Sequence, residues 1–87
     1  MKRKAGFVLE TIGEDTYAVA VTPETAKVGS MIKLNATAAL LFALLENEHT
    51  EDECVAALTA KYEIDEASAR ADVCRFLSAL KEASLLA

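Results

Sequence analysis

A chain of 87 residues has room for one compact domain and little volume for an enclosed active site. A net charge of −5 and a pI near 4.8 argue against partners that bind through their phosphates, so neither nucleic acid nor an anionic membrane is expected. No run approaches the roughly 18 apolar residues of a membrane span, and the opening Met1-Lys2-Arg3-Lys4 lacks the apolar stretch of a signal peptide. The expected setting is cytoplasmic, with Cys54 and Cys74 reduced. The two cysteines form no C-x-x-C pair, so neither a redox motif nor a zinc site is expected. The Lys2-Arg3-Lys4 run reads as a solvated terminus.

The first third of the chain has the composition of strands. Residues 7–12 are rich in β-formers, Gly13-Glu14-Asp15 supplies turn chemistry, and residues 16–21 form the second arm of a hairpin. Residues 22–30 break the pattern, with Pro23 and Gly29 as punctuation. A short third strand, Met31 to Leu34, closes the β region.

Three helices follow. Asn35 is a good N-cap for a helix from Ala36 to about Glu46, which is apolar over most of its circumference and therefore central. Thr50 with Glu53 three residues later forms a capping box, and Glu51 and Asp52 favour the positive end of the second helix. That helix places Val55, Leu58 and Tyr62 on one face. Asp65 caps the third helix, from Glu66 to about Ala83, with Val73, Phe76, Leu77 and Leu80 on its core face. Leu85-Leu86 is an apolar tail that should fold back on the core. The plan is α+β and winged-helix-like, with a three-stranded antiparallel sheet followed by three helices in one domain spanning residues 1–87. A sheet this small cannot close on itself, so at least one strand edge must be open, covered or charged, and the short third strand is where it is expected.

Catalytic groups do not assemble. His49 is the only histidine and reads as a surface loop residue. Each cysteine reads as a small buried apolar residue. The carboxylates cluster at helix starts, where capping accounts for them, and there is no G-x-S-x-G, Walker loop or G-x-G-x-x-G. The third helix mixes Arg70, Arg75 and Lys81 with Glu66, Asp72 and Glu82, unlike the basic or amide-rich stripe of a groove-reading helix.

The segment Ile32-Lys33-Leu34-Asn35-Ala36-Thr37-Ala38 resembles the "xLNxTAA" segment of the family of pyrroloquinoline-quinone synthesis protein D and related precursor-peptide recognition domains. The likeness continues through Leu41-Phe42-Ala43-Leu44-Leu45-Glu46 and the capping run His49-Thr50-Glu51-Asp52-Glu53. It ends with Asp72-Val73-Cys74-Arg75-Phe76-Leu77-Ser78-Ala79-Leu80, which is similar to "DVxxFLxxL", and with Leu85-Leu86. Ser84 stands where the family commonly has glycine, so the third helix is expected to end differently.

The resemblance implies a non-catalytic peptide chaperone, without cofactor or metal, that binds the leader of a ribosomally made precursor and presents it to a modifying enzyme such as a radical enzyme. It implies that the leader lies along the third strand as an added strand, flanked by the third helix. The candidate edge is Met31, Ile32, Lys33 and Leu34. One flank of the third helix carries Arg70, Cys74 and Lys81 and the other Asp72 and Ala79; the Arg70 flank is nominated as the groove wall. A monomer or weak homodimer is expected. The alternatives are a winged-helix DNA-binding regulator and a structural docking subunit of a larger enzyme.

Overall fold

The computed structural model describes residues 1–22 and 31–86; Pro23, Gly29 and the rest of the segment between them and β3 lie outside the described residues. Three strands, β1 (Phe7–Ile12), β2 (Asp15–Ala20) and β3 (Met31–Leu34), form one antiparallel sheet in the order β1-β2-β3. Three helices follow: α1 (Ala36–Leu44), α2 (Glu51–Lys61) and α3 (Glu66–Glu82). This is the α+β order expected from the sequence. No helix among the described residues is long and apolar enough to cross a membrane.

Turn chemistry fixes the hairpin. Gly13 takes φ +64° while Glu14 keeps a negative φ, the signature of a two-residue type II′ turn. Ile12 therefore pairs with Asp15, and β2 starts one residue earlier than the sequence suggests. Side chains alternate across the pleat. Phe7, Leu9, Ala18, Ala20, Ile32 and Leu34 share the face packed on the core. The opposite face carries Val8, Val19 and Met31 in one register row and Glu10, Tyr17 and Lys33 in the next.

Each helix starts on the expected cap. The Asn35 side chain accepts from the Ala38 N–H at 2.8 Å, and Asp65 accepts from the Ser68 N–H at 2.6 Å. Thr50 and Glu53 satisfy each other's backbone N–H groups at 3.1 and 2.8 Å. Helix α1 stops at Leu44, short of the expected Glu46. The Glu46 and Asn47 N–H groups turn to the carbonyls three residues back, Ala43 and Leu44, both at 3.3 Å, which tightens the last turn. The core between sheet and helices is built from Phe7, Ala18, Leu41, Phe42, Leu45, Cys54, Val55, Leu58, Ala69, Val73, Leu80 and Leu85.

Three local expectations need correction. Helix α3 ends as a glycine-terminated helix would: Ser84 adopts φ +60°, its N–H donates to Lys81 O at 3.1 Å, and the Leu85 N–H donates to Leu80 O at 2.7 Å. That is a Schellman motif, closed by contact between buried Leu80 and Leu85, and it turns the apolar tail back onto the core as expected. Arg3 is not solvated; it is 6% exposed, the buried charged residue of the described chain. Cys54 is buried as expected, and burial pushes its thiol up, but Cys74 is exposed because it points off the core face of α3.

Candidate functional site

The register of the sheet decides which backbone groups β3 offers to a partner. In an antiparallel pair, residues alternate between exchanging hydrogen bonds with one neighbour and facing the other way. The Val21 N–H donates to Gly6 O at 2.8 Å, continuing the β1–β2 register one step past Phe7↔Ala20. By alternation Val19, Tyr17 and Asp15 bond to β1, so Ala18 and Thr16 turn to β3, where their partners are Ile32 and Leu34. Ile32 and Leu34 thus point their backbone groups inward to β2. Met31 and Lys33 point theirs outward, to an edge that no strand occupies among the described residues.

Beside this edge runs an apolar cleft of about 300 Å³ between β3 and α3. Ile32 and Leu34 form one wall, Phe76, Ala79 and Ala83 the other, with Phe42 and Leu85 among the remaining lining residues. The space exists because the helix offers alanines at positions four apart (Ala79, Ala83) where larger side chains would close it, and because Ala38 does the same on α1. Among the described residues, Lys33 is the single ionisable residue of the lining. Past Phe76 and Ala38 the surface continues into a polar end formed by Asn35, Thr37, Asp72 and Arg75. The arrangement suits an extended chain: unpaired backbone groups on one side, and an apolar socket for alternate side chains on the other.

The sequence matches the family described as Coenzyme PQQ synthesis protein D (PqqD) over residues 17–86. The chain belongs to the PqqD family. No curated protein is similar to it in sequence at a significant level. Among solved structures, it is similar to TbiB1 in complex with the TbiA(beta) leader peptide, with a TM-score of 0.75 and 27% identity over 99% of this chain and 94% of that one. It also shares its fold with lasso peptide synthetase B1 complexed with the leader peptide, with a TM-score of 0.72 and 21% identity over 97% of this chain and 93% of that one.

In this PqqD-family chain the nominated residues divide. Ile32, Lys33 and Leu34 line the cleft, and Met31 supplies outward backbone at its end. Arg70 and Cys74 lie on the other flank of α3, facing α2, and the cleft lining includes neither them nor Lys81. The Arg70 guanidinium pairs with Glu51 at 2.8 Å, Asp52 at 2.9 Å and Glu66 at 3.4 Å. The hydrogen bond it donates to Asp52, with those it donates to Glu66 and Glu51, holds its pKa above the usual value. A second cleft of about 530 Å³ opens there, but of its charged members Arg70 is already paired with both Asp52 and Glu66. Arg75 likewise pairs with Asp72, so both arginines of α3 have carboxylate partners rather than forming a basic stripe. The wall residues not nominated from sequence are Phe76, Ala79 and Ala83. The available signal was a large aromatic followed by alanines three and seven residues on, beside the core stripe.

Proposed function

We propose that the protein is a non-catalytic carrier that binds the leader segment of a ribosomally made precursor peptide by strand addition and presents it to a modifying enzyme such as a radical enzyme. The observation that carries this reading is the outward-facing backbone of Met31 and Lys33 running beside the apolar cleft. Membership of the PqqD family supports it, as do the leader peptides in both similar structures. A peptide laid along β3 gains main-chain hydrogen bonds at alternate residues. Burying one large apolar side chain in the cleft adds about 1.5–3 kcal/mol. The lining is that of a binding surface: apolar side chains and one lysine.

The test uses a twelve-residue peptide selected against the protein from a random display library, titrated calorimetrically into the wild type and into Ala79→Leu. Ala79 is exposed at the cleft, so leucine there fills the socket without entering the core. The variant is expected to melt like the wild type and to lose at least tenfold in affinity. A library that yields no binder, or a variant that binds like the wild type, would overturn the proposal.

A further inference from the structure

Arg3 lies outside the cleft lining, yet it touches what shapes the cleft. Its Nε donates to the Phe42 carbonyl at 2.7 Å and its Nη1 to the Lys4 carbonyl at 3.2 Å, while the guanidinium carbon sits 4.4 Å from the centre of the Phe42 ring. The Phe42 carbonyl belongs to the last turn of α1. The Glu46 N–H that would bond it in a continuing helix goes instead to Ala43 O, so Arg3 supplies a partner to a helix-end carbonyl. The Phe42 ring is held on another side by Phe7, edge to face with centroids 5.9 Å apart.

The neighbouring backbone completes a strap. The Arg3 N–H donates to Leu45 O at 2.8 Å, the Lys4 N–H donates to Leu85 O at 2.7 Å, and Arg3 pairs with Leu86 as a one-residue antiparallel bridge. Phe42 and Leu85 both line the cleft, one from α1 and the other from the tail after α3. Two consecutive residues therefore tie together elements that would otherwise set the cleft's inner width by packing alone.

We propose that Arg3 is a positioning residue for peptide binding, holding Phe42 and Leu85 at the spacing that a leader side chain requires. This rests on the peptide-binding reading above. Burying a guanidinium is costly, and burial lowers the pKa of Arg3 despite the opposing charge of Glu46. Stability alone would be served as well by an apolar side chain of similar volume. A planar donor that also covers a ring fixes Phe42 in position and orientation, which neither methionine nor lysine reproduces.

The experiment compares Arg3→Met and Arg3→Lys with Thr50→Ala, which removes the α2 cap at a residue outside the cleft lining and lowers the melting midpoint through the helix alone. The library-selected peptide is titrated well below every melting midpoint, and methyl resonances of Ile32 and Leu85 are recorded without peptide. Arg3→Met is expected to bind about tenfold more weakly, equivalent to 1.4 kcal/mol, with a smaller loss in Arg3→Lys. The methyl shifts should move in both Arg3 variants, and Thr50→Ala should bind like the wild type with unmoved methyls. Wild-type affinity in both Arg3 variants, or an equal loss in Thr50→Ala, would overturn the assignment. The methyl measurement needs no peptide, so unmoved methyls count against the strap itself, whereas absence of any wild-type binder counts against the peptide reading.

Discussion

Ser84 holds a backbone conformation that L side chains adopt at a cost of roughly 1–2 kcal/mol, because Cβ crowds the following carbonyl. The helix end is built anyway, since two hydrogen bonds and the Leu80–Leu85 contact depend on that turn. Ser84→Gly should therefore raise stability by about 0.5–1 kcal/mol, the relief being offset in part by glycine's unfolded-state entropy. Thermal melts check it; an unchanged or lower midpoint would show that Ser84 is not strained. The sequence shows serine where glycine is common, but not that tertiary contact dictates the conformation regardless. Arg3 and Cys74 escape sequence reading for the same reason. A basic run looks solvated until the orphan carbonyl of Phe42 is in place beside it, and a cysteine near a core stripe looks buried until the facing element is known.

Among the elements, the caps at Asn35, Thr50 and Asp65 and the order of strands and helices are legible because they depend on residues within a few positions of each other. The wall of the cleft is not. Helix α3 has a core stripe with two flanks, and which flank meets β3 depends on how the chain crosses from sheet to helices. Backbone parity along β3 was equally open in sequence and follows once Gly6–Val21 fixes the register. It gives a sharp expectation for proline, which removes an N–H and is tolerated at an edge only where that N–H faces outward. Met31→Pro and Lys33→Pro should keep near-wild-type melting and bind the selected peptide about threefold to tenfold more weakly, the 0.5–1.5 kcal/mol of a lost hydrogen bond. Ile32→Pro and Leu34→Pro remove bonds to β2 and should lower the melting midpoint first. The reverse pattern in paired melts and titrations would contradict the register.

At the scale of the whole molecule, a domain this small has little stability to spare, and part of its acid sensitivity should trace to the helix caps. Hydrogen bonding from the Ser68 backbone holds Asp65 below the usual carboxylate range, and the Thr50 backbone does the same for Glu53. Carboxylates with lowered folded-state pKa values contribute stability that is complete above their unfolded pKa, near 4, and is lost as pH falls through the folded values. Asp65→Asn keeps a capping oxygen without the charge, so denaturant melts from pH 7 to 2 should show little change at neutrality and a shallower acid decline. An acid decline as steep as the wild type's would remove Asp65 from the account. Binding should in turn stabilise the fold, by about 2.7 kcal/mol at a peptide concentration one hundred times Kd. The most direct measurement of strand addition is amide hydrogen exchange at β3, residue by residue, with and without the selected peptide. Ile32 and Leu34, already bonded to β2, should be protected in both states, while Met31 and Lys33 should exchange rapidly alone and slowly in the complex. Unchanged fast exchange at Met31 and Lys33 in a saturated complex would show that the peptide does not pair with this edge.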